Sequence, residues 1–319
     1  MRVRFWGTRG SLPVSLTAED VKGKIVEALI AAAGRNLKTR AEIEAFVGRD
    51  LPFAISHTYG GNTSCIELDI GTDEHVLCDL GTGVRLFGLD VLARKGPRTP
   101  RTFHVFMSHL HWDHIMGFPF FPHAYLPGNR IVIYGCHAGI EEAFRRQHAA
   151  PCFPVDFSRL SAKIEFVKLE PGRRVRHAGL DVTPKLQQHS GDSYSYRFEH
   201  GGKVVVYSTD AEHKTDDVAS THEVVEFFRN ADLVIFDAMY SLADAVSVKE
   251  DWGHSSNIVG VELCQHARAR HLCIYHHEPV YNDAKIASVL QETLRLEEIT
   301  RAGHTLRISS AYDGLEIAV

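Results

Sequence analysis

No apolar run in this 319-residue chain approaches the roughly 20 residues that a membrane-spanning helix needs. Behind Met1-Arg2-Val3-Arg4-Phe5-Trp6 lies no apolar core of signal-peptide length, so neither a membrane nor a secretory role is expected. Cysteine is sparse: Cys65, Cys78, Cys136, Cys152, Cys264 and Cys273 stand far apart, with no CxxC pair. They read as small apolar core residues of a reducing, cytoplasmic compartment rather than as a disulfide framework. A basic excess is missing as well. Lys plus Arg number 35 against 40 Asp plus Glu, a formal charge of −5. This argues against broad capture of a nucleic acid polymer, because affinity for the phosphate backbone comes from clustered cations. Repeats, low-complexity tracts and Pro-rich linkers are also lacking. Histidine, by contrast, is abundant at 20 residues. It is the commonest transition-metal ligand, so its clustering is the informative question.

Short β-rich runs alternate with helical stretches. Strands are expected at Arg2–Trp6, Ser64–Ile70, Glu74–Asp79, Phe103–Ser108, Arg130–Tyr134, Lys163–Val167, Leu180–Gln187, Ser193–Glu199, Lys203–Ser208, Leu233–Asp237, His271–Tyr275, Thr305–Ser309 and Leu315–Ala318. Several are almost continuously apolar, as strands covered on both faces are. Segments 199–203 and 312–315 read as glycine-bearing hairpin turns. Helical periodicity marks 18–33, 40–48, 84–95, 138–148, 216–229, 256–268 and 283–297, with Ser256 as a candidate cap. Two sheets, each covered by helices, in a single domain over 1–319 are expected. Residues 15–56 form a helical insertion after the first strand, its first helix striped by Val21, Ile25 and Leu29. Packing on the body is the plain reading of that stripe; a lid over the site or a homodimer contact are the alternatives.

The strongest chemical signal is Ser108-His109-Leu110-His111-Trp112-Asp113-His114. On an extended backbone side chains alternate, so His109 and His111 point the same way, as two ligands of one metal must. Where the chain turns toward a helix, Asp113 and His114 face back from the other side. Three imidazoles and a carboxylate in six residues are poor core material, since each needs a partner when buried. Later strand ends offer further donors: His189, Asp210, and the pair His276-His277. Each alone is an ordinary strand-end residue. Together with the cluster they make a dinuclear set.

The pattern His109-x-His111-x-Asp113-His114, followed by a His, an Asp and a His, resembles the metallo-β-lactamase superfamily of dinuclear metal hydrolases. Gly7-Thr8-Arg9-Gly10-Ser11, Gly61-Asn62-Thr63-Ser64 and Asp79-Leu80-Gly81-Thr82-Gly83 resemble early motifs of its ribonuclease Z and phosphodiesterase branch. The resemblance implies an α/β, four-layer αββα sandwich with metals at one edge. It implies His109, His111 and His189 on one metal, Asp113, His114 and His276 on the other, and Asp210 bridging. Two adjacent residues at a strand end do not easily face the same ion. The branch's H-x-S-x-x-Tyr segment aligns with 276–281 and favours His276, leaving His277 as the alternative. Trp252-Gly253-His254-Ser255-Ser256 resembles the branch's G-H-S-T segment, whose His assists the leaving group; Asp237 takes the position of a Glu that orients it. Asp113, His254 and Asp237 are thus the candidate catalytic residues. Phe236 replaces the His of the branch's H-E-A-T segment, which weakens a reading as a tRNA processor.

Two divalent ions roughly 3.5–4 Å apart lower the pKa of a shared hydroxide and stabilise charge on the attacked group. Zinc suits His and Asp donors best, with manganese or iron as alternatives. The expected function is therefore hydrolysis of a small anionic phosphodiester, such as a cyclic nucleotide, by a metal-bridging hydroxide. A carboxylic ester, lactone or thioester hydrolase on the same centre is the first rival, and a non-catalytic binding module on this fold the second. Trp112, Phe118, Phe120, Phe121 and Tyr125 read as packing under the metal loop, or else as the wall of a nucleobase pocket. His123, His148, His213 and His222 lack ligand spacing and read as surface residues or neighbours of the ligands.

Overall fold

The computed structural model describes residues 1–213, 218–241, 253–301 and 303–319. Its first sheet runs β14(Glu316–Ala318)-β1(Arg2–Gly7)-β2(Cys65–Asp69)-β3(His75–Cys78)-β4(Thr102–Phe106)-β5(Arg130–Gly135)-β6(Lys163–Lys168). The second runs β13(Arg307–Ser310)-β12(His271–Tyr275)-β11(Leu233–Asp237)-β10(Lys203–Ser208)-β9(Ser193–His200)-β8(Leu180–Gln187)-β7(Val175–His177). β3 to β6 are parallel, as are β10 to β13; the other pairs in each sheet are antiparallel.

Alternation along the strands builds the layers. Val76 and Cys78 of β3 and Phe106 of β4 point into the core between the sheets, where they meet Leu233 and Ile235 of β11 and Tyr275 of β12. Leu77, Phe103 and Val105 point outward, onto α4(Gly83–Lys95) and α6(Ile140–Gln147). Val234 and Phe236 point outward beneath α7(Val218–Phe228), α8(Asn257–His266) and α9(Asp283–Thr300). Both faces of each sheet are therefore covered, which is why these strands read as unbroken apolar runs. Each large side chain so buried contributes about 1.5–3 kcal/mol.

One expected hairpin is found, and several other expectations are corrected. The 199–203 turn is a hairpin between antiparallel β9 and β10, with Gly201 and Gly202 both at positive φ. The 312–315 turn is not a hairpin: β13 pairs with β12 and β14 with β1, so it carries the chain from one sheet to the other. β7 has no counterpart in the expected set because its Val-Arg-His segment offers one apolar residue. Ser256 occupies the position before α8 without a side-chain cap, and instead bridges to Tyr240. Within 216–229 only Val218 onward falls in the described residues, and Trp252 lies outside them. Five cysteines are buried, whereas Cys152 is exposed.

In the 15–56 stretch, α1(Ala18–Ala32) and α2(Arg40–Arg49) are each opened by a Thr capping box, at Thr17 and Thr39. Val21, Ile25 and Leu29 are 44, 55 and 66% exposed, so the stripe does not pack on the body. Lys24 holds α1 instead, pairing with Asp283 at 2.6 Å and donating to the carbonyls of Ala54 and His57.

Candidate metal centre

Parallel strands end on a common rim, and the donors are delivered there. β4 leads into His109, β10 into Asp210, β11 ends on Asp237, and β12 is followed by His276. β8 brings His189 to the same rim. Asp79, Asp210 and His276 adopt positive φ of 60°, 38° and 60°. These are costly for non-glycine residues and persist where the surroundings over-determine them.

Ligand atoms of His109, His111 and His189 converge within 4.8 Å of one another, as do those of Asp113, His114, Asp210 and His276. Asp210 lies between the two groups. Its Oδ2 faces His109 Nε2 at 3.6 Å and His189 Nε2 at 3.9 Å; its Oδ1 faces the Nε2 atoms of His114 and His276, both at 3.2 Å. Asp113 Oδ2 lies 3.2 Å from His114 Nε2 and 3.3 Å from His276 Nε2. His277, by contrast, donates from Nε2 to the Ala311 carbonyl at 2.8 Å and faces away from the cluster.

Partners on the far side of each ring set which nitrogen faces inward. His114 Nδ1 donates to Asp79 Oδ2 at 2.8 Å, and His189 Nδ1 to the Gly253 carbonyl at 2.7 Å. The inward Nε2 atoms of His109 and His114 are buried and without a hydrogen-bond partner. A buried acceptor left this way is costly. Lone pairs converging beside two carboxylates fit divalent cations.

The electrostatics agree. Burial pushes the imidazoles of His109, His111 and His189 down, toward the neutral form that binds metals. Burial would raise Asp113 and Asp210, but neighbouring imidazoles outweigh it and hold both carboxyls below the usual range. His114 is raised, because Asp113, Asp210 and Asp79 overcome the opposing effect of burial.

A second arrangement lies beside the first. His254 Nδ1 donates to Asp237 Oδ2 at 2.9 Å, and its ring centroid sits 5.1 Å from His189 and 5.2 Å from His276. Burial pushes His254 down, but Asp237, aided by Asp210 and Asp113, raises it to about 9. Gly253 stands at φ +81°, where a Cβ would lie 2.6 Å from His189 Nδ1. Only glycine allows the 253–254 segment to orient His189 and deliver His254 together.

Supporting residues were less legible. Asp79 accepts from Ser108 N at 2.8 Å, and its Oδ2 from Ser108 Oγ, His114 and Tyr207 OH at 2.7, 2.8 and 2.7 Å. The D-x-G-x-G turn hinted at a supporting role but not at this hub. The Ser11 amide donates to Asp113 Oδ2 at 2.8 Å, which nothing in the sequence foretold. Phe118 and Phe121 pack in the core, while Trp112 and Phe120 are 79 and 58% exposed. His123 and His148 are not at the surface: each is buried and donates to a backbone carbonyl, of Gly88 and Val155. His213 stacks on Phe236, and His222 is exposed.

The family model for the β-lactamase superfamily domain matches residues 74–277. A ribonuclease Z from Thermoplasma acidophilum is 24% identical over 237 residues, covering 61% of this chain and 74% of the relative. Among solved structures, the metallo-β-lactamase fold protein YhfI from Bacillus subtilis superposes with a TM-score of 0.64 at 18% identity, covering 99% of this chain and 98% of that one. The short form of human tRNase Z superposes with a TM-score of 0.61, also at 18% identity, over 100% and 99% of the two chains. At such identity these two structures speak for the fold.

Proposed function

From the premise that the chain belongs to the β-lactamase superfamily and is one of its metal-dependent hydrolases, we propose that it cleaves a small anionic phosphodiester at a two-metal centre. His109, His111 and His189 would hold one ion, Asp113, His114 and His276 the other, with Asp210 between them. All-N,O donor sets of this kind suit zinc. When bound, such ions lower the pKa of a water and offset the charge that builds on phosphoryl oxygens.

The observation that carries the phosphodiester reading is the His254–Asp237 pair at the rim. An alkoxide leaving group needs a proton, and Asp237, bonded to Nδ1, favours the protonated imidazole from which His254 would give one. With Nδ1 engaged by Asp237, Nε2 is the atom that would donate. A p-nitrophenolate leaving group, on phosphorus or on a carboxylic ester, has no such need. Five buried free cysteines support a reducing, cytoplasmic setting for the work.

The test is a panel on zinc-loaded protein: cyclic mononucleotides, cyclic dinucleotides, aryl and alkyl phosphodiesters, a lactone and a tRNA precursor. His254→Ala should slow esters with poor alkoxide leaving groups by roughly 10²–10⁴-fold and barely affect p-nitrophenyl esters. Cleavage of the lactone alone, or equal slowing for every leaving group, would overturn the proposal.

A further inference from the structure

A surface cavity of about 230 Å³ that the proposed chemistry does not use is lined by Asn62, Thr82, Arg85, Leu86, Gly117 and Phe120. Two of its lining residues, Thr82 and Gly117, adjoin the backbone of the metal loop. Gly81, next to Thr82, packs so closely on Asp113 that an added Cβ would lie 2.4 Å from the Asp113 carbonyl oxygen. Leu80 N donates to the His114 carbonyl at 2.7 Å, and Gly117 N to the Leu80 carbonyl at 2.9 Å. On its other side, the Asn62 carbonyl accepts from the amides of Thr8 and Arg9, two residues before the Ser11 amide that binds Asp113.

The lining offers three kinds of contact. Asn62 and Thr82 are already satisfied: Thr82 Oγ1 donates to Asn62 Oδ1 at 3.1 Å, and Asn62 Nδ2 donates to Asp313 at 3.0 Å. They shape the cavity and leave little polarity to spare. Phe120 keeps more than half of its side chain in solvent, while an edge-to-face contact with Phe153 at 5.6 Å fixes its ring. Leu86 adds exposed apolar surface. Arg85, on the first turn of α4, is exposed and forms no ion pair with any described residue, whereas Arg94, further along α4, pairs with Asp90 at 2.6 Å. An unpaired guanidinium beside a fixed, exposed aromatic ring suits a flat heterocycle that carries an anion. Stacking takes any base, and Arg binds phosphate as a fork.

Building on the phosphodiester reading, we infer that this cavity binds the nucleoside half of the substrate, its base on Phe120 and a second phosphate on Arg85. The substrate class is then a nucleotide diester bearing a further phosphate, rather than a simple alkyl or aryl diester.

Three p-nitrophenyl substrates test this with one leaving group: methyl p-nitrophenyl phosphate, thymidine 5′-(p-nitrophenyl phosphate), and the latter carrying a 3′-phosphate. The zinc-loaded wild type should prefer the 3′-phosphorylated ester over the plain thymidine ester by roughly tenfold or more in kcat/KM, the worth of a charge-assisted contact. Arg85→Ala should abolish that preference through KM, with kcat little changed, and Arg85→Lys should restore part of it. Phe120→Ala should raise KM for both thymidine esters by roughly five- to fiftyfold and leave the methyl ester alone. Both positions are exposed, so folding is not at stake. A wild type that hydrolyses all three esters without preference, or variants that leave the preference intact, would overturn this inference while sparing the phosphodiesterase reading. Failure to cleave any of the three would instead remove that reading.

Discussion

Replacing Asp79 by Asn tests the support of the metal centre without touching a candidate ligand. Asn tolerates the left-handed backbone that Asp79 adopts at φ +60°, so the change falls on hydrogen bonding alone. In the better orientation the amide oxygen takes the place of Oδ2 and still accepts from Ser108 Oγ, His114 Nδ1 and Tyr207 OH. The NH2 group then faces Ser108 N at the former 2.8 Å, donor against donor. Leaving that buried amide unpaired costs about 1–3 kcal/mol. The three remaining bonds fall from charge-assisted to neutral strength, roughly halving each, or about 3 kcal/mol together. The metal-free protein should therefore lose about 4–6 kcal/mol in denaturant melts. His114 keeps its tautomer, but its ring loses the carboxylate that makes Nε2 a better donor to metal, so zinc affinity should fall roughly 10–100-fold. Chelator-competition titration measures that fall. An affinity within twofold of wild type would refute the claim that Asp79 acts through His114, even if stability dropped.

Other expectations follow from the same geometry. Gly81→Ala forces a Cβ to within 2.4 Å of the Asp113 carbonyl and 2.6 Å of the Thr63 backbone; it should cost about 1–3 kcal/mol and weaken metal binding, read by calorimetry. His276→Ala should cut bound zinc from two equivalents to one by elemental analysis, whereas His277→Ala should lower the melting temperature and leave both. Burial holds His277, His271 and His123 down at about 3, 4 and 4. Their stabilising effect is complete above the unfolded imidazole value of ~6.5 and is lost as pH falls below it, because the unfolded chain then binds protons that the native one refuses. For fully buried His277 the loss reaches about 3 kcal/mol near pH 4.5, at roughly 1.4 kcal/mol per pH unit. Imidazole resonances that titrate near 6.5 in the native protein would contradict this. Removing metal with a chelator should abolish hydrolysis, and added zinc should restore it and raise the melting temperature, since a ligand of the native state alone stabilises it.

Much of this molecule was written in local patterns. Among the described residues, thirteen of the fourteen strands coincide with expected β-rich runs; the central ones read as unbroken apolar segments because strands covered on both faces need apolar residues at every position. The exception, Val175–His177, is a three-residue edge strand with little to bury. The cluster at 109–114 was equally plain, since four donors in six residues have few other uses. Phe118 and Phe120 were not separable by pattern: two residues apart in one aromatic run, one is sealed in the core and the other faces solvent.

Tertiary structure decided the rest. The residues themselves left His276 and His277 open, with only the resemblance favouring the first; in the fold His276 stands at positive φ with its ring facing Asp113 and Asp210, while its neighbour binds Ala311. Asp79 was a motif letter until the fold brought Ser108, His114 and Tyr207 around it. Spacing along the chain governs which face a side chain takes within one strand. Which donors from different strands meet, and which nitrogen each ring presents, depends on how two sheets pack and on the partners behind each ring, and no local stretch of sequence carries that information.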